Sequence, residues 1–329
     1  MTEGEPQLLA DAARLHELGI DHHDGLAEQV DLGSRRMVLT GAGEPVEVHA
    51  GQLVLAPGLR YDPPPIPGLD AAHVNAVPAG VAPLAAELTG GRRTVVVVGG
   101  GLIGVETAAT LSQAGHDVAI AELDARPLHR LHDPLPALAL ATLDELGVAF
   151  QPHFAVAGVE AAADGRAAVT AADGRTLVAD VVVAATGGRP RADLGLDVSG
   201  PVAVAADLSV PGLPGVYVVG DAAAPLHERF GRLVLPHWDT AMGTGTLAAD
   251  AILGRAEPYR RLPFWWSDIG PRRIAEIGVA AAVVVWSVRD ELHVGRDAAD
   301  AIVCVLVVDQ PRRLRDARRL VTEATPCQS

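Results

Sequence analysis

Apolar and polar positions repeat along this chain with two periods, and the changes of period mark its elements. Residues 7–20, QLLADAARLHELGI, place leucine and alanine at helical spacing and stop at Gly19, which predicts a short helix. Two strands follow from the alternating stretches RRMVLT (35–40) and VEVHAGQLVLAPG (46–58), turned at GAGE, the second running into a buried strand QLVLA. The run 63-PPPIPG-68 breaks the pattern. It reads as a polyproline ligand for a partner domain or as a stiff linker, and the linker is the commoner use.

From Arg93 the pattern becomes a buried strand TVVVV, a glycine loop, a helix to about Ala114 and a second strand VAIAEL, followed by a helix PLPALALATLDEL. VAFQP, FAVAGVEAAA, RAAVTAA and TLVADVVVAATG then read as short strands separated by ADG and AADG turns, a meander set before a last buried strand. GVYVVGDAAA (215–224) is another buried strand, and 239–254 a helix with a glycine stop. The remainder alternates strands such as AAVVVWSV, LHVG and AIVCVLVV before it closes on 311-PRRLRDARRLV-321.

With 329 residues, 49% of them apolar, the chain has enough core for two or three domains. Its net charge of -15 argues against a nucleic-acid or anionic-membrane surface and for small molecules or proteins as partners. The two cysteines, Cys304 and Cys327, form neither a CxxC pair nor a zinc ligand set. The first residues lack a secretory pattern, and the longest apolar run, 277–286, falls short of the ~20 residues a bilayer requires. A soluble cytoplasmic protein is expected.

The chemistry concentrates at a few positions. Gly99, Gly101 and Gly104 form GxGxxG around Leu102 and Ile103, between a strand and a helix, where free backbone N–H groups meet a dinucleotide pyrophosphate. The plain alternative is a tight strand-to-helix turn with no ligand. Glu122, at the end of the next strand, is placed to accept from adenosine ribose hydroxyls and favours NADH over NADPH, although Arg126 stands close by. Glu106 lies where the helix dipole favours a carboxylate whatever its role, and Asp221, at a strand end, reads by itself as a helix cap. His129, His132 and Asp133 have a spacing that metal sites use, but without glutamate or cysteine ligands around them no metal is expected. Trp238, Trp265 and Trp266 are core residues or a platform for a planar cofactor.

The order LVLAPG, VVVVGGGLIGVE, VVVAATGGRP, PGVYVVGDAA, PHWDTAMGTG, LPFWWSD resembles the FAD-dependent pyridine nucleotide oxidoreductases, and within them the ferredoxin and rubredoxin reductases of oxygenase systems, from about residue 10 to 321. The resemblance implies an α/β fold: a Rossmann-like NAD domain (81–200) inserted in a Rossmann-like FAD domain (1–80 and 201–257), plus a small α+β C-terminal domain (258–329). It implies NAD at the glycine loop, with Gly187 nearby, and FAD at Gly220 and Asp221. Glu106 matches a glutamate beside the nicotinamide, and Pro236, His237 and Trp238 match a segment beside the flavin ring. Electrons would pass from NADH through FAD to a ferredoxin or rubredoxin-type acceptor. The 311–321 arginines read as a docking face for that acceptor or as a solvated helix face.

Two departures stand out. Pro57 occupies a place where such reductases carry threonine, and no strand with an earlier GxGxxG precedes residue 94, so the FAD domain is expected to be truncated. An alternative expectation is therefore a flavin-free NAD(H)-binding remnant without redox turnover.

Overall fold

The computed structural model describes residues 10–41, 43–71, 73–74, 78–190, 200–255 and 257–323. Residues 7–9 of the expected first helix, Ala42 in the expected turn, and Cys327 lie outside the described residues. The chain forms two units, neither of them continuous: a larger one from 61–188 with 262–323, and a smaller one from the residues up to 60 with 189–261.

The smaller unit opens with helix α1 (Ala12–Glu17), whose cap Asp11 accepts the Arg14 N–H at 2.8 Å, and which ends ahead of Gly19, at φ +68°. Strands β1 (Gly25–Asp31), β2 (Arg36–Gly41) and β3 (Val46–His49) form an antiparallel sheet in that order. β1 was not expected, because its residues GLAEQVD stay almost wholly exposed and carry no apolar face for a period to reveal. VEVHAGQLVLAPG is two strands in two sheets: β4 (Leu53–Leu55) leaves β3 and buries both its leucines elsewhere.

The larger unit begins with β5 (His73–Val74), helix α2 (Pro78–Leu88), β6 (Thr94–Val98), α3 (Leu102–Gln113), β7 (Asp117–Ala121), α4 (Leu135–Glu145) and β8 (Ala149–Gln151). An antiparallel meander, β9 (Val156–Ala161), β10 (Ala167–Ala171) and β11 (Thr176–Ala179), precedes β12 (Val181–Ala184). The main sheet is wholly parallel with order β5-β12-β6-β7-β8, the doubly wound Rossmann arrangement. Its central valines, Val95 to Val98, are buried on both faces. The segment VAFQP was expected in the meander; it is β8 instead, since its three paired residues are too few for a periodic pattern to distinguish parallel from antiparallel company.

The chain then returns to the smaller unit. β13 (Val216–Val218) pairs parallel with β4, and Leu53, Leu55, Val216 and Val218 share a core with Ala248 of helix α5 (Trp238–Ile252). Back in the larger unit, β14 (Phe264–Ile269), β15 (Arg272–Gly278), β16 (Val285–Arg289), β17 (Leu292–Arg296) and β18 (Ile302–Val308) make an antiparallel sheet of order β14-β15-β18-β17-β16. Helix α6 (Leu314–Glu323) lies against β18 and β15. The apolar run 277–286 is not one strand: β15 ends at Gly278, at φ +95°, where a side chain would strike the Val303 carbonyl, and β16 is an exposed edge. Among the described residues no helix is long and apolar enough to cross a membrane.

Candidate functional site

In the larger unit, the carboxyl ends of β6 and β12 part where strand order reverses, the crevice in which such sheets bind ligands. Two glycines there are required by the protein itself. A Cβ on Gly99, at φ +107°, would stand 2.5 Å from the Ala185 carbonyl oxygen, and one on Gly104 would overlap the Gly99 carbonyl oxygen. Gly101 differs, because nothing lies within 4 Å of where its Cβ would be. The protein has room for a side chain at this position, so packing within the chain does not require this glycine and the loop backbone stays open to a ligand. Gly101 is also the N-cap of α3 and makes no side-chain cap bond, which leaves the first-turn N–H groups, with those of Leu102 and Ile103, for an anion.

The loop is braced from β7. Glu122, 5% exposed, accepts from the Gly100 N–H and from the Asp124 N–H (2.8 Å), and Leu128 N–H donates to the Gly100 carbonyl at 2.8 Å. The expected ribose ligand is thus also the clamp that shapes the glycine loop. Arg126 is exposed and paired with Asp133 at 2.9 Å. His129 does have acidic company, correcting the reading of its surroundings: its Nδ1 lies 3.1 Å from Asp124 and 3.9 Å from Glu122, whereas His132 is not in this group. Folding brings these side chains together from a loop that sequence spacing alone does not close. Ile103, Ala185, Gly187, Tyr61 and Pro63 line a small pocket beside the loop, and Gly187 turns the chain at φ +92°.

Glu106 sits one turn further along α3, where burial pushes its carboxyl above the usual carboxylate range against the opposing pull of the Ser267 hydroxyl and the Asp268 N–H. Ser267, 2% exposed, donates to Glu106 Oε1. Sequence reasoning did not single out this serine; its only signal was its place in LPFWWSD. A second buried acid, Glu276 of β15 in the sheet that carries Ser267, is 7% exposed and pushed up to about 7 by burial, opposed by hydrogen bonds from the Trp265 ring and the Ala280 N–H. Cys304 is buried, and burial with the nearby Glu276 charge pushes its thiol up, so it is no nucleophile.

The smaller unit carries the other predicted group. β13 ends in one 3-10 turn, Gly220–Ala222, with Gly220 at φ +67° and its N–H bonded to Thr244 Oγ1 at 2.9 Å. Asp221 does not cap a helix: the cap position is Val219, and the turn is followed by extended chain. Its half-buried carboxyl is raised by burial and lowered by the His237 N–H and ring. His237 is the N-cap of α5, its Nδ1 accepting from Asp239 N–H at 3.2 Å. Asp239 is buried and held by Arg261 through two bonds of 2.8 and 2.6 Å. Pro236 and Trp238 are exposed, Trp238 to 58%.

These donor sets fit the two cofactors. An uncapped helix end behind a glycine loop suits a dinucleotide pyrophosphate, and a desolvated carboxylate with one N–H partner retains acceptor capacity for the hydroxyls of a ribityl chain.

Residues 11–245 match the family model described as pyridine nucleotide-disulphide oxidoreductase. The chain is similar to the ferredoxin–NAD(+) reductase component of the anthranilate 1,2-dioxygenase system of Burkholderia cepacia, 31% identical over 311 residues, covering 90% of this chain and 76% of that one. It is similar to rhodocoxin reductase of Rhodococcus erythropolis, 28% identical over 318 residues, 91% of this chain and 72% of that one. Its fold matches that of a ferredoxin reductase from Rhodopseudomonas palustris with a TM-score of 0.83 at 22% identity, over 92% of this chain and 77% of that chain. Glycine loop, Gly-Asp turn and matches over nine-tenths of the length agree: the chain belongs to the pyridine nucleotide-disulphide oxidoreductase family, as a member of the ferredoxin reductase type.

Proposed function

We propose that this protein is a cytoplasmic NADH-dependent flavoprotein reductase that delivers electrons to a ferredoxin or rubredoxin-type acceptor. The observation that carries the reading is the glycine loop whose middle glycine the protein does not itself need, opening an uncapped helix beside a buried Glu122. Its relatives named as ferredoxin–NAD(+) reductases supply the acceptor class.

The residues divide the work. Gly99 to Gly104 bind the pyrophosphate, Glu122 shapes the loop and faces the adenosine ribose, with Arg126 at the rim, and Glu106 borders the nicotinamide. In the other unit Gly220 and Asp221 hold the ribityl chain, and Pro236, His237 and Trp238 border the flavin ring. Flavin, when bound, supplies the conversion of a two-electron hydride donor into single electrons. No general acid or base is demanded of the protein, whose task is to orient the rings and exclude water.

The charge distribution supports an acidic protein partner. Residues 262–323 carry nine arginines and nine acidic residues, so the whole net charge of -15 lies elsewhere, and among the described residues Arg312 and Arg315 make no ion pair. Opposite charge steers such encounters.

The test is the visible spectrum of the purified protein with added FAD, then with NADH in the absence of oxygen. A bound flavin that bleaches on NADH addition is expected. A colourless protein that still binds NADH would replace the proposal with a flavin-free nucleotide-binding protein.

A further inference from the structure

β14 turns Trp265, Ser267 and Ile269 to one side, where they are 5%, 2% and 1% exposed, and Asp268 to the other. Ser267 is the single hydroxyl on that buried triplet, and a serine there adds nothing to apolar packing that alanine would not. Its hydroxyl donates to Glu106 Oε1 on α3. The next residue adds a second donor, the Asp268 N–H, to the same carboxyl. The strand therefore holds Glu106 through Ser267, 161 positions away in sequence.

We propose that Ser267 is a positioning residue for NADH binding: its donation to Oε1, aided by the Asp268 N–H, fixes the Glu106 carboxyl in one orientation and keeps it an acceptor for the nicotinamide carboxamide. The inference rests on the reading that Glu106 borders the nicotinamide. The charged groups nearest Glu106 are Asp268 of β14, whose carboxylate pushes in the same direction as burial but less, and, behind it, Arg273 of β15, which takes both Asp268 oxygens at 2.6 Å. Burial, with a smaller contribution from the Asp268 charge, disfavours the ionised acceptor; the Ser267 hydroxyl and the Asp268 N–H of β14 work against it.

The ionised carboxyl accepts from the carboxamide N–H, so NAD(H) affinity falls as pH drops through the Glu106 titration. Removing the hydroxyl withdraws one stabiliser of the ionised form, which moves that fall to higher pH. A net hydrogen bond of about 1 kcal/mol corresponds to roughly 0.7 of a pH unit.

The experiment is calorimetric titration of NAD+ into the intact protein between pH 5 and 8.5, for the wild type, Ser267→Ala, Ser267→Thr and Glu106→Ala, with anaerobic reduction by NADH measured in parallel. Ser267→Ala is expected to shift the acid limb of binding upward by roughly 0.7 of a pH unit, and Ser267→Thr, which keeps the hydroxyl, to restore it. Glu106→Ala should abolish the limb. If Glu106→Ala abolishes it and Ser267→Ala leaves affinity and limb unmoved, the role of Ser267 is overturned while Glu106 keeps its place. If Glu106→Ala changes nothing, the reading of Glu106 fails first and the proposal with it.

Discussion

Glu276 sets up a stability experiment with a definite sign. Its carboxyl is 7% exposed in the middle of an antiparallel sheet, opposite Trp265 on β14 and Leu306 on β18. Burial raises it from 4.5 to about 7, against hydrogen bonds from the Trp265 ring and the Ala280 N–H. The folded protein therefore binds this proton more tightly than the unfolded chain does. Below about pH 4.5 both states are protonated and the group is neutral in its effect; as pH climbs through 4.5 toward 7 the unfolded chain releases the proton first, and stability is lost until both have ionised. A rise from 4.5 to about 7, at about 1.4 kcal/mol per pH unit, makes this loss roughly 3 kcal/mol. Glu276→Gln keeps an acceptor for the ring N–H and carries no charge, so the stability of the wild type relative to this variant should fall by roughly 3 kcal/mol between pH 4 and pH 8.5. Urea unfolding followed by tryptophan fluorescence is the assay. Three of the four tryptophans, Trp265, Trp266 and Trp286, lie in this sheet, and a Trp238→Phe background removes the fourth. Parallel pH profiles for the two proteins would refute the argument.

Three other expectations can be checked directly. Gly104→Ala drives a Cβ into the Gly99 carbonyl, and should cost at least about 2 kcal/mol in thermal or urea unfolding and abolish NAD+ binding by calorimetry. Asp221→Asn removes the charge that would accept ribityl hydroxyls, and should weaken flavin binding at least about tenfold, read from flavin fluorescence on ultrafiltration, with NAD+ affinity unchanged. Arg315→Ala with Arg319→Ala should slow reduction of an acidic iron–sulfur acceptor at low salt, an effect that fades at high salt, without slowing reduction of a small dye. Equal rates with the protein acceptor would remove α6 from the docking surface.

The parts of this molecule that sequence made legible are those whose residues act locally. TVVVV followed by GxGxxG specifies a buried strand, a turn and a helix from neighbouring residues, and the structure has β6, the loop and α3 in those places. Gly104 could be read because it crowds the Gly99 carbonyl within the same turn, and Gly99 because the turn sets its φ at +107°, although its Cβ would also strike the distant Ala185 carbonyl. β1 escaped because Val30 is its one residue packed toward the core, and β8 because three residues do not set a period. The clamp on Glu106 escaped for another reason: Ser267 meets it only after β14 has packed beside α3, and no pattern within either segment announces the pairing. Likewise Glu276, inside IAEIGV, was not singled out in the sequence, because the Trp265 ring that partly satisfies it becomes visible only through register.

The alternation of the two units along the chain has a consequence for synthesis. The strands of the parallel sheet, β5 to β12, fall between residues 73 and 184, so this sheet can assemble as soon as that stretch has left the ribosome. β4 is made earlier, but its parallel partner β13 does not arrive until residue 216. At about 5–20 residues per second, β4 waits on the order of 10 s with its apolar edge unpaired. The Glu106 carboxyl waits in the same way for Ser267, so the nucleotide module of a nascent chain forms before the strand that orients its acid exists. Growth arrested short of β14 would leave a Rossmann sheet in place and a loosely aimed carboxylate on it.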